Sequence, residues 1–96
     1  MKRIILLLFV LCTISSHAQL TPWIYYNNGM YQQCIHEMDN IISRNRDEGK
    51  LYYLRGLAKV ALYKNETGCP DLKRAYELGI REAQEVRLRH CKLNYK

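Results

Sequence analysis

Cysteine and histidine are the residues of this chain best able to do chemistry, and there are few of them: Cys12, Cys34, Cys69 and Cys91, with His17, His36 and His90. A zinc site could be assembled on paper from Cys34, His36, Cys69 and Cys91. Their spacing contains no closed C-x2-C or H-x3-H unit of the kind that structural zinc sites use. A thiol nucleophile activated by histidine would need Cys34 and His36 to face each other, and residues two apart on a helix do not. His90 falls at an inward-facing helical position, where a core histidine is expected rather than a base. No glycine-rich phosphate loop, metalloprotease motif or redox motif occurs. Asn65-Glu66-Thr67 matches a glycosylation sequon and is read as coincidental. The chain is therefore expected to be non-enzymatic, without metal or cofactor.

The elements that position these residues begin after a leader. Lys2 and Arg3 precede an unbroken apolar run, Ile4 to Leu11, and Ser16-His17-Ala18 offers small residues where signal peptidase requires them. This is the secretory pattern, and the run is too short to span a bilayer of roughly 30 Å. Residues 1–18 are expected to be a signal peptide. An uncleaved membrane anchor and lipidation of Cys12 are the alternatives, the second disfavoured by the bulk of Leu11. Removing eighteen of the 96 residues leaves 78, which is one small domain near the lower limit for a self-sufficient core. Loss of Lys2 and Arg3 lowers the formal charge from +6 to +4. No lysine–arginine block longer than two survives, so nucleic-acid binding has neither charge nor motif behind it. The mature protein is expected to be exported, soluble, and periplasmic or extracellular. In such a compartment a disulfide is the first expectation for cysteine, and three mature cysteines leave one over.

The mature chain reads as helix throughout. Thr21-Pro22 suits a helix start, with a short helix from Pro22 to about Asn27 and a turn at Asn27-Asn28-Gly29. Tyr31, Cys34, Ile35, Met38, Ile41 and Ile42 form one apolar stripe, predicting a helix from about Gly29 to Arg44. Leu51, Leu54, Ala58, Ala61 and Leu62 make a second stripe, with Tyr53, Leu57 and Val60 beside it. That helix, from about Asp47 to Tyr63, is apolar on so much of its circumference that it should lie between neighbours. Gly56 in its middle, despite a cost of about 1 kcal/mol against alanine, implies close approach of another helix. Lys64 to Gly68 reads as a turn, with Cys69 near a cap and Pro70 in the first turn of the next helix. Leu72, Ala75, Tyr76 and Leu78 face inward there, and Gly79 is a left-handed stop. A last helix runs from Ile80 or Arg81 to about Asn94, with Ala83, Val86, His90 and Leu93 inward. Short connections make sequential helices antiparallel hairpins.

From Gly56, a glycine follows after twelve residues at Gly68, and Ala75 comes seven further on. These small residues, with Asp71-Leu72-Lys73-Arg74-Ala75 and Glu77-Leu78-Gly79, resemble the tetratricopeptide repeat. Stepping back by its period of roughly 34 residues brings Cys34 and Ile41 to the small positions and Gly29-Met30-Tyr31 to the opening of a second helix. Ile41 exceeds the usual alanine, and Pro22 stands where the first helix should carry glycine. The resemblance thus implies an all-α, short tetratricopeptide-like solenoid. Its parts are a degenerate repeat over 22–46, a well-formed repeat over 48–79, and a capping helix over 80–94. Cys69, the following Asp71 to Gly79 pattern and His90-Cys91-Lys92 are similar to a small exported bacterial subtype, in which two cysteines bracket the last helical hairpin. That implies a Cys69–Cys91 disulfide. Arm lengths agree: Cys69 lies ten residues before Gly79 and Cys91 twelve after it, about 15 and 18 Å along two antiparallel helices. Two separate buried thiols are the alternative. Cys34 is read as a core thiol, with intermolecular pairing as its alternative.

In the repeats that the chain resembles, first helices line a concave groove. Carried onto this sequence, its candidates are Trp23, Tyr26, Asn27, Lys50, Tyr53 and Leu57, continued by Val60 and Ala61. An aromatic groove of this kind suits an extended or helical peptide, although Tyr53 and Leu57 fit a core equally well. The lysine–asparagine pattern that clamps a peptide carboxylate in some such repeats is not matched. A second surface is basic: Lys73, Arg74, Arg81, Arg87, Arg89, Lys92 and Lys96 crowd the last hairpin, either as a solvated face or as a site for an acidic partner or membrane. The expected function is non-catalytic binding of a protein or peptide, with self-assembly into a homo-oligomer as the alternative.

Overall fold

The computed structural model describes residues 21–91, and the regular structure among them is entirely helical. Helix α1 spans Thr21–Asn27, α2 Tyr31–Ile42, α3 Gly49–Ala61, α4 Asn65–Glu77 and α5 Glu82–His90. The leader expected over residues 1–18, the end of the expected capping helix, and Lys92, Leu93 and Lys96 lie outside the described residues. No described helix is long and apolar enough to cross a membrane.

Three of the helices end in the same way. In α1, the N–H of Gly29 donates to Tyr26 and that of Met30 to Tyr25. In α3, Tyr63 donates to Val60 and Lys64 to Lys59; in α4, Gly79 donates to Tyr76 and Ile80 to Ala75. Each pair is a Schellman closure, which needs a left-handed residue just past the helix. Those residues are Gly29 (φ 75°), Tyr63 (φ 59°) and Gly79 (φ 103°). Gly29 therefore ends α1 rather than opening α2. The end of α2 is closed by side chains instead: Ser43 Oγ donates to the Asn40 carbonyl and Asn45 Nδ2 to that of Ile41.

The start of α4 departs from expectation. It begins at Asn65 rather than after Gly68, so Pro70 sits inside the helix. The turn is complete by Lys64, whose carbonyl already accepts from Gly68. Proline removes the donor that the Glu66 carbonyl would have had, and Glu66 is exposed, where water can replace it. The capping helix also stops early, at His90, because Cys91 turns extended (φ −110°, ψ 132°). His90 itself is exposed, not inward as its spacing suggested.

The helices bury two adjoining apolar clusters. Cys34, Ile35, Met38 and Ile42 of α2 pack on Leu54 and Ala58 of α3. Leu72 and Ala75 of α4 pack on Ala83 of α5, with Tyr53, Val60, Ile80 and Val86 around them. Tyr52 touches both clusters. The closest approach joins α3 to α4. A Cβ on Gly56 would lie 2.8 Å from Leu72 Cγ, and one on Gly68 3.0 Å from Lys59 Cβ and 3.2 Å from the Gly56 carbonyl oxygen. Gly56 and Gly68 sit at close approaches between α3 and α4, and Ala75 is fully buried. Gly49 is a further close approach that the sequence did not suggest, with Ile80 Cγ1 2.9 Å from where its Cβ would be.

Cys69 and Cys91 form a disulfide, with Cα atoms 5.9 Å apart across 22 residues of chain. Beside it, Asn65 Nδ2 donates to the His90 carbonyl at 2.9 Å, so two ties hold the open end of the α4–α5 hairpin. A loop of this length contributes about 3 kcal/mol by the chain-entropy estimate. Disulfides persist in oxidising compartments.

Candidate binding cleft

Alternate helices share one surface. Helices α1 and α5 both touch α3, and where the three meet the chain leaves a cleft of about 360 Å³. Leu57, Val60 and Ala61 of α3 line it, one helical face by their spacing. Tyr26 of α1 and Val86, Arg89 and His90 of α5 line it too, with Tyr63 and Asn65 from the α3–α4 connection and the start of α4.

The aromatic wall is held by its own edges. The Tyr26 ring meets Trp23 at 6.1 Å between centroids and Tyr31 at 5.4 Å, both edge-on, arrangements that suit aromatic quadrupoles. Burial, then neighbouring Tyr31, Tyr53 and Cys34, raise the Tyr26 phenol above its ordinary range, so it stays neutral. Tyr53 is raised by burial and by Glu82 and Glu85 of α5. The charges of α5 are thus divided: Glu82 and Glu85 stand in its first turn near Tyr53, while Arg87, Arg89 and His90 end it. The cleft itself is lined by Arg89 and His90 and by no carboxylate.

The sequence-based candidates separate here. Tyr26 and Leu57 line the cleft, together with Val60 and Ala61, and Trp23 braces Tyr26. Tyr53 packs instead on the Leu72–Ala75–Ala83 cluster, close behind Tyr26. Asn27 is exposed at the end of α1 and does not line the cleft. Lys50 lies elsewhere, two helical turns before Leu57. It borders a wider depression of about 610 Å³ made by the exposed polar segment 44–48 with Gly49 and Ile80. Tyr63 and the end of α5 were missed as cleft residues, since only the hairpin fold brings them there.

A polar spine behind the cleft was also missed. Arg55 of α3 gives two hydrogen bonds of 2.8 Å to the Asp71 carboxylate of α4, and its third contact reaches Asp39 of α2 at 2.9 Å. Lys59, one turn on, meets Asp71 at 3.0 Å. Asp71 is only 6% exposed, and a buried carboxylate needs such partners. The Arg55 and Arg74 guanidinium groups lie over the Tyr52 ring at 5.6 and 6.0 Å from its centroid, and the Tyr52 hydroxyl donates to the Arg46 carbonyl. Two cations four residues apart on an apolar helix were the available signal.

Cys34 is fully buried on the inward stripe and has no disulfide partner among the described residues. Burial pushes its thiol up to about 11, so it remains protonated and unreactive at neutral pH. Of the basic face, Lys73, Arg74, Arg81 and Arg89 are exposed and Arg87 is half-buried against Gln84. No family model, no curated protein and no solved structure matches the chain.

Proposed function

We propose that the chain is a small exported module of tetratricopeptide type, which holds a polypeptide partner without catalysis in the cleft between α1, α3 and α5. The observation that carries this reading is that cleft: three alternate helices share an apolar, open-ended surface with an aromatic wall. In the repeat assignment those are the first helices, whose faces line the concave side of such arrays. The Arg55–Asp71 spine and the disulfide hold the helices at a fixed separation, so the surface is preformed and costs little to order on binding.

A photo-crosslinking residue placed at Leu57, and separately at Lys73 on α4, tests this in envelope extract. Adducts formed from position 57 and not from 73 are expected; equal capture, or capture from 73 alone, would overturn the cleft reading. Capture from 73 that fades steeply with salt would favour the basic face, because exposed charges are screened. One observation favours self-assembly as a second reading: Trp23, Ile24 and Met30 are exposed at the α1 end. A light-scattering mass that rises with concentration would support it.

A further inference from the structure

Three helix ends share one backbone closure, and two of them place glycine at the left-handed position. The third places Tyr63 there at φ 59°, the one non-glycine residue with positive φ among those described. A bulky side chain is disfavoured in that conformation. The closure gives it two backbone hydrogen bonds, as it gives the two glycines, but its side chain gains no packing in return, since Tyr63 is 93% exposed. Tyr63 nevertheless lines the cleft, as Arg89 and His90 do. Strained residues of this kind concentrate where a protein grips something outside itself.

We propose that Tyr63 is the anchoring lip of the cleft and that the occupant is a polypeptide segment with an apolar anchor flanked by Asp or Glu side chains. The proposal rests on the cleft reading above. The apolar anchor would sit on Leu57 and Val86, and the Tyr63 ring would cover it, adding a large rigid contact at low entropic cost. Charge complementarity sets the acidic character and the direction. The lining offers Arg89 and His90 without a carboxylate, while Glu82 and Glu85 stand toward the Tyr53 side. Acidic residues of the partner therefore lie against Arg89. Side-chain carboxylates fit better than a chain terminus. A terminus is captured by converging donors in a nest, and here Arg89 and His90 are both exposed.

The test selects random twelve-residue peptides displayed on phage against the disulfide-bonded mature protein, then titrates the synthetic winners on variants. Winners enriched in Asp or Glu beside an aromatic or leucine are expected. Their Asn or Gln versions should bind about tenfold more weakly. Tyr63→Gly should raise the thermal midpoint by about 4 °C, since it removes the backbone strain. It should weaken the peptide about tenfold, the loss expected of a central aromatic contact, whereas Tyr63→Phe stays within about threefold. If Leu57→Ala weakens binding and Tyr63→Gly does not, the lip is wrong and the cleft survives. Winners without acidic enrichment overturn the stated partner chemistry. A lower midpoint for Tyr63→Gly would show that the ring serves the fold, and so overturn the lip. Selection of no peptide, or indifference to both variants, overturns the cleft and the lip together.

Discussion

Gly56 is a residue where local and tertiary preferences have opposite signs. Helix propensity alone favours alanine there by about 1 kcal/mol. The Cβ it adds would come within 2.9 Å of two Leu72 side-chain atoms and 3.1 Å of the Gly68 carbonyl oxygen. Overpacking of that kind costs about 1–3 kcal/mol, so Gly56→Ala is expected to destabilise by about 1 kcal/mol in urea unfolding; a stabilised variant would disprove the close approach. The acidic partners of Arg55 also differ by burial. Asp71→Asn leaves Lys59 without a countercharge and Arg55 with only the exposed Asp39, and should cost about 3 kcal/mol. Asp39→Asn, at a side chain 55% exposed, should change stability by less than about 1 kcal/mol. Cys34 adds a pH dependence. Its thiol is raised from 9.0 to about 11 in the folded protein, so the folded state holds that proton more tightly. The corresponding stability is intact below pH 9 and disappears as pH rises toward 11, roughly 3 kcal/mol in all. Cys34→Ala should flatten alkaline unfolding over that window, and in the native wild type no thiol should react with iodoacetamide until the chain unfolds.

Among the elements, α5 depends most on help from outside itself. It spans only Glu82–His90 and buries a single residue, Ala83. A helix this short is marginal alone, and the disulfide together with the Asn65–His90 hydrogen bond attaches its far end to α4. Replacing Cys69 and Cys91 by serine should lower stability by about 3 kcal/mol. The loss should fall first on amide-exchange protection in α5, while α2 and α3 stay protected. Uniform loss across all helices would mean that the hairpin is not a separable unit.

At the scale of the molecule, a helical domain as small as residues 21–91 has little stability to spare, about 5 kcal/mol at the low end of small domains. Reduction of one disulfide worth about 3 kcal/mol should therefore lower the thermal midpoint by about 15 °C, measurable by circular dichroism with and without reductant. The cleft wall made by Val86, Arg89 and His90 belongs to the tethered helix. Partner binding should accordingly weaken on reduction before the α2–α3 core melts.

How much of this was legible before folding depends on the range of each interaction. Stripes at helical spacing, such as Tyr31 to Ile42, and the stop at Gly79 are local, and they determine the helices and their antiparallel order. Gly56 announced a close contact, because a glycine amid an apolar helix needs a reason. The start of α4 misled, because Pro70 marks a first turn only when nothing upstream has already nucleated the helix, and Lys64 had. His90 misled because spacing fixes a face and not what covers it. The Arg55–Asp71 pairing, the separation of Lys50 from Leu57 and the place of Tyr63 on the cleft could come only from the tertiary structure. Each is a meeting of distant segments, and charge pairing, cavity shape and exposure exist only once those segments have met.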